Sequence, residues 1–550
     1  MQLSCLEPLQ VRCCHINVTL NALLLAWPFR IVATVETVAP RLSILPEKSA
    51  SRRRITIEAA IKAFFGSNAL VAIVVLTLIT IFLFREGFGF FGQNLANLRL
   101  YRRAGLEFVD IIRVQAEQHA ALSRELNDIR LAEFRTNSNQ ALLAKFDQFA
   151  TGFSDTGDEL HALVSDAGDQ AVALREALIR SGGNPASSSA DNEDETARAA
   201  PTVDPVAGMT ALRSAQTTFA QIEHSIKSKI ESLIAEPPQL TNREARRSFV
   251  KWKIKTQQYL QQLPIALEKL RAWSPDKQVP AYRTITSFLF GTNWITASFW
   301  QDWYGIIPLL VGSIMVALVA LFIAIPLGVS AAIYVSEVAS PAEKSLIKPY
   351  IEFISAIPSV VLGFFGIAVL GQAVRALSQA SFMKWVPFFP ISERLNVFTA
   401  GCLLALMAVP TIFTLAEDAL RNVPRGFKEA SYALGANRLQ TILRVLVPAS
   451  LSGIVSAVLL GLGRVIGETM VVLLCAGNRI AIPDFTQGLG AFFQPVHTMT
   501  GIIAQEMGEV VRGSIHYRAL FMVGLVLFAV TLAINYGAQK LVARYRMSIG

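Results

Sequence analysis

Six apolar runs of bilayer length constrain this chain more than any other feature. They cover roughly 66–84, 305–333, 351–371, 396–416, 451–476 and 519–537. About 20 apolar residues in helical form cross a hydrocarbon core. Inside that core only helices or closed barrels satisfy every backbone polar group. The reading is an all-α polytopic membrane protein with six transmembrane helices. Composition agrees. Mean hydropathy is +0.43, and 17% of residues are charged, where about a quarter is usual in soluble domains. The net charge of +9 fits basic loops beside spans. No basic patch interleaved with aromatics points to nucleic acid, so membrane lipid is the expected surrounding and nucleic acid is not a partner. Cys5, Cys13, Cys14, Cys402 and Cys475 form no disulfide framework, the six histidines are scattered, and no metal site is expected.

Between the spans the chain changes character. Residues 1–50 form a mildly apolar tail interrupted by Asn17, Asn21, Pro28 and Arg30. Residues 51–91 hold the first transmembrane helix and its flanks. Residues 92–285 form a polar, helix-forming insert, in which Leu122, Leu126 and Ile129 recur at helical spacing. Further helical patches cover 209–234 and 242–273. A low-complexity linker near 181–208, rich in Ser, Ala and acidic residues, is read as disordered. The insert carries no catalytic constellation and is expected to be a helical hairpin acting as a spacer or docking arm. Trp294, Trp300, Trp303 and Tyr304 precede the second span and read as an interfacial aromatic belt. Residues 286–550 are the transmembrane domain, with a polar loop at 417–450. Arg52, Arg53 and Arg54, the loop's Arg421, Arg425, Lys428, Arg438 and Arg444, and Lys540, Arg544 and Arg546 place both termini and the loop in the cytoplasm. The insert then lies on the periplasmic side.

The fifth run raises the sharpest question, because it carries Arg464 and Glu468. A charge within a bilayer is costly and marks a pathway or a paired site. On a continuous helix, residues four apart share a face and can form an ion pair. A guanidinium also matches oxyanion geometry in a bidentate way. Two readings stand: the pair lines a path for an anion, or it locks two helices. Pro326 and Pro358 are candidate helix breaks of the kind that build ion sites in transporters, or tolerated kinks.

The 417–450 loop supplies the partner logic. It reads as two amphipathic helices joined at Gly435, where glycine permits a sharp turn, with Pro448 starting the next span. Glu429-Ala430-Ser431, then Gly435, then Val445, Val447 and Pro448 resemble the EAA motif of ABC importer permeases, with Ser for the second Ala and Val for Ile and Leu. In that family the loop is a coupling helix docked on an ATPase subunit. The segments at 304–339, 348–366 and 461–478 look like the PstC-type permease of phosphate importers. That resemblance implies a phosphate path through Arg464 and Glu468. It also implies a second, PstA-like permease, cytoplasmic ATPase subunits and a periplasmic phosphate-binding protein. No Gly-Lys dipeptide occurs, which excludes a P-loop of the usual form. The chain is therefore no enzyme alone. It binds no cofactor, and ATP–Mg is used by the partner subunit. The alternatives are a permease for another oxyanion or small solute, and a membrane scaffold or sensor signalling through the insert.

Overall fold

The structure, a computed structural model, describes residues 52–134, 140–182, 205–296, 298, 300–383, 385–386 and 388–545. The 1–50 tail, most of the 181–208 linker and Arg546 lie outside the described residues. Contacts divide the chain into a unit up to Val74 and a unit from Val75 onward. In the first, helix α1 (Arg52–Arg103) begins and its apolar side chains from Ile61 to Val74 are exposed, as a lipid-solvated helix requires. In the second, α1 continues as a stalk. Gly87, Phe90, Asn94, Leu98 and Tyr101 are buried at helical spacing.

The insert is a folded bundle rather than a simple hairpin. Gly105, at φ 77°, turns α1 into α2 (Leu106–Phe134). Next come α3 (Gln140–Asp155), α4 (Asp158–Gly182), α5 (Pro205–Ala235) and α6 (Arg243–Ala272). Each carries one apolar stripe, and together the stripes close a core that includes Phe146, Phe153, Leu160, Phe219 and Trp252. A stripe on one amphipathic helix is stable only when another element covers it; five helices meet that need without a disulfide. The core is fixed by specific polar bonds. The Trp252 indole N–H donates to the Leu122 carbonyl at 3.0 Å. The Glu133 carboxylate accepts the backbone N–H groups of Thr241 and Asn242 at 2.9 and 3.0 Å, which satisfies donors at the start of α6. Replacing Trp252 with Ala should cost the insert about 3–5 kcal/mol. Hydrogen exchange on the full chain should show protection lost in α2–α6 and kept in the transmembrane helices.

His119 adds a pH dependence. Its ring stacks on Phe153 with centroids 4.6 Å apart, and Nε2 donates to the Phe153 carbonyl at 3.0 Å. Burial holds this imidazole below the ordinary histidine range, so the unfolded chain takes up the proton more readily. The stability gained by keeping His119 neutral is present above about pH 6.5 and is lost as pH falls through the folded value. Exchange in α2–α6 should quicken, beyond the intrinsic rate change, between pH 7 and pH 5. A His119→Gln chain should show a smaller change.

The aromatic belt is corrected. After α7 (Tyr282–Leu289), strands β1 (Trp294–Ile295) and β2 (Trp303–Tyr304) pair antiparallel with Trp294 opposite Tyr304. Trp294 is buried with its ring edge-on to Tyr304 at 5.4 Å. Trp303 stands edge-on to Tyr101 at 5.4 Å. The Trp300 indole donates to Asp110 Oδ1 at 3.0 Å, and the Arg113 guanidinium lies 5.0 Å from its ring centre. Trp300 and Trp303 pack on the bundle, whereas Trp294 and Tyr304 pack with Phe90, Phe288 and Leu309 at the first turn of the next span. Their clustering in sequence reflects that junction rather than a row of lipid anchors.

The helices of the permease domain follow: α8 (Ile307–Ile333), α9 (Pro341–Ala356), α10 (Ser359–Phe365), α11 (Gly371–Gln379), α12 (Val397–Arg421), α13 (Arg425–Ala433), α14 (Arg438–Thr441), α15 (Val447–Ala449), α16 (Leu451–Gly467), α17 (Met470–Cys475), α18 (Met499–Glu506) and α19 (Ile515–Tyr545). Among the described residues, five helices are long and apolar enough to cross a membrane, and a bent pair makes a sixth. The fold is thus all-α and polytopic. Helices α8 and α12 pack closest. A Cβ added at Gly401 would meet Val319 at 2.5 Å, and one at Gly328 would meet Ile412 at 2.9 Å. Helix α16 joins them, with Gly461 set against Ile412.

One span boundary and one candidate break differ from the sequence reading. The third span is Ser359–Gln379, because the chain leaves helical geometry at Ile357 and Pro358 (ψ 124° and 136°). That break makes α9 a separate helix with its own Ser340–Glu343 capping box. At Pro326 no break occurs, and α8 runs through it. One missing N–H removes one bond from the ladder, and tight packing on α12 holds the rest.

Candidate functional site

The 417–450 loop is built as a helix, an elbow and a second helix. Pro424 starts α13. At its end Gly435 takes φ 80°. Its N–H donates to the Tyr432 carbonyl at 2.9 Å, and the Ala436 N–H donates to Ser431 at 3.2 Å. This is the Schellman pattern, and it needs a residue at ease in the left-handed region. Asn437 then caps α14 through a box with Gln440. A π-turn at Ile442–Leu446 leads into α15. Pro448 lies in that helical stretch, ahead of a 67° bend, so it does not begin the straight part of the span, which starts at Leu451. Glu429, Ala430 and Gly435 are exposed, and Leu434 at the tip is 89% exposed. Ser431 is buried, and its hydroxyl bonds that of Thr441 at 2.9 Å. That bond gives Ser a reason to stand where the motif has Ala.

Arg464 and Glu468 are not paired. Helix α16 stops at Gly467, and Glu468 adopts extended backbone (φ −73°, ψ 134°). The chain beyond Glu468 turns away from the helix, and its carboxylate is engaged there instead of by Arg464. Glu468 Oε1 accepts the Met470 N–H at 3.2 Å at the start of α17, and the Glu468 carbonyl accepts the Thr500 hydroxyl at 2.9 Å. Arg464 is exposed and donates through Nη1 to Thr411 Oγ1 at 3.1 Å. Among the described residues no ion pair joins the two. The broken helix of this domain is thus at Glu468 as well as at Pro358, and Pro326 takes no part. Beside Glu468 a cavity of about 10 Å³, lined in part by Ser313, Val465, Thr498 and Thr500, has room for at most one water. The sequence reading missed Thr411, Ser313, Thr498 and Thr500. Their one signal is a hydroxyl in or beside an apolar run.

The loop and the Arg464 segment both fall within residues 324–546, which match the family described as binding-protein-dependent transport system inner membrane component. The probable ABC transporter permease protein YqgH of Bacillus subtilis is 36% identical over 245 residues, covering 44% of this chain and 73% of that protein. The chain belongs to this ABC permease family, among its PstC-type members. The phosphate transport system permease proteins PstC of Pasteurella multocida and Haemophilus influenzae are 30% and 31% identical, covering 48% of this chain and 82% and 84% of those proteins. As an ABC importer permease, the chain is a multi-pass inner-membrane transport subunit whose ATP hydrolysis resides on a separate chain. Members of the family work with an ATPase, a second permease and a substrate-binding protein. The insert lies outside the matched residues.

Proposed function

We propose that this permease carries inorganic phosphate. It pairs with a PstA-like permease, receives substrate from a periplasmic phosphate-binding protein, and docks α13 on a cytoplasmic ATPase that uses ATP–Mg. Both termini are cytoplasmic and the insert is periplasmic. The observation that carries the reading is the state of Arg464: a guanidinium within an apolar span, exposed on the chain's surface and held by a hydroxyl rather than a carboxylate. A buried lock between two helices needs an ion pair, and among the described residues Arg464 forms none. A cationic, unneutralised donor at the surface of one permease suits an anion path shared with a second. The names of the PstC relatives favour phosphate over other oxyanions. Glu468, tied to the start of α17, is placed to move when the broken helix moves. The test is radiolabelled phosphate uptake in a host lacking its own permease of this type and given this chain with its neighbouring subunits. Uptake that needs the chain supports the reading. An assembled, ATP-hydrolysing complex without uptake contradicts it.

A further inference from the structure

The coupling helix is gripped by one buried carboxylate that no motif assigns. Glu337 lies in the π-turn Tyr334–Val338 that continues α8. Its side chain is 8% exposed and accepts Lys428 Nζ of α13 at 2.7 Å. On the far side of the Gly435 elbow, Arg438 Nη2 donates to the Glu337 carbonyl. The turn is braced from behind: Ser336 Oγ donates to Glu337 Oε1 at 3.1 Å, and Lys344 Nζ donates to the Ser336 carbonyl at 3.0 Å. Both arms of the elbow therefore hold the same residue. Through α8 that residue is continuous with Ser313, whose hydroxyl accepts the Met499 N–H at 2.9 Å, next to Thr500 and its bond to Glu468. The run from 313 to 333 is one helix of about 30 Å, stiffened by its packing on α12.

We infer that Glu337 is a positioning residue that passes movement of α13 into α8 and so to the Glu468 break. The inference rests on the coupling reading of α13. A carboxylate this buried holds its partner firmly, because removing either member leaves an uncompensated charge. The exposed pairs of the chain are far weaker. A π-turn is also a common site of functional helix distortion, and here it sits where the grip acts.

The test uses the reconstituted transporter and reads two ratios: ATPase subunit retained per chain, and phosphate imported per ATP hydrolysed. With Glu337→Gln, ATPase retention should stay within about twofold of wild type, while import per ATP falls at least about tenfold. Exchanging the charges, Glu337→Lys with Lys428→Glu, should restore import per ATP to within about threefold. Should Glu337→Gln not accumulate, Lys428→Gln removes the same pair from its more exposed end. Wild-type import per ATP in the Glu337→Gln complex, or no recovery in the exchanged pair, overturns the inference. The wild-type complex tests the functional reading separately: hydrolysis without phosphate import there contradicts phosphate as cargo, whatever the variants do.

Discussion

Substituting Gly435 with Pro should reduce uptake to background, a loss of more than about a hundredfold. Proline fixes φ near −65°, and residue 435 stands at φ 80°. The substitution also deletes the N–H that bonds the Tyr432 carbonyl. Both faults fall on the elbow that aims α13. Gly435→Ala separates conformation from crowding. Nothing lies within 4 Å of a Cβ added there, so only the left-handed strain of about 1–2 kcal/mol remains. Uptake should then fall no more than about tenfold. Equal amounts of chain in the membrane, checked by quantitative blotting, make the comparison valid. Full uptake by the proline variant would show that the elbow does not couple.

Arg464→Lys should lower uptake by about ten- to a hundredfold, the equivalent of losing one hydrogen bond to a charged group, about 1.5–3 kcal/mol. Lysine keeps the charge but loses the planar fork. Assembly should be unaffected, because among the described residues Arg464 has no ion pair to break. The loss of uptake separates the path reading from the lock reading, under which lysine keeps the charge and uptake stays near wild type. Thr411→Val frees the guanidinium from the hydrogen bond it makes to that hydroxyl and should have a smaller effect on uptake. Normal uptake by an assembled Arg464→Lys complex would remove Arg464 from substrate recognition.

Apolar length and Gly435 made much of this architecture readable. A run of about 20 apolar residues has few alternatives to a membrane helix, so each predicted run overlaps a helix that the structure contains. The Schellman elbow was readable because glycine at that position has a specific conformational use. The insert was underread because each of its helices is only modestly amphipathic. Trp252 and Phe153 declare themselves as core only when five stripes meet. Trp300 and Trp303 were misplaced for a related reason, since an aromatic beside a span suits a lipid interface or a protein junction equally well, and Asp110 and Tyr101 decide between them from some 190 residues away. The break at Glu468 was invisible because no Pro marks it. A Gly467-Glu468-Thr469 sequence is compatible with a continuous helix, and a tertiary bond from Thr500 together with the local cap on the Met470 N–H selects the extended form. Pro326 follows the second of its two readings: a residue that usually interrupts a helix is accommodated within α8.

The most direct test of the central claim is micromolar phosphate uptake by the complete complex, with and without this chain, using the Gly435→Pro form as the inactive control. The account predicts ATP-dependent phosphate accumulation that requires the chain and vanishes in the control. ATP hydrolysis by an intact complex that accumulates no phosphate would contradict it.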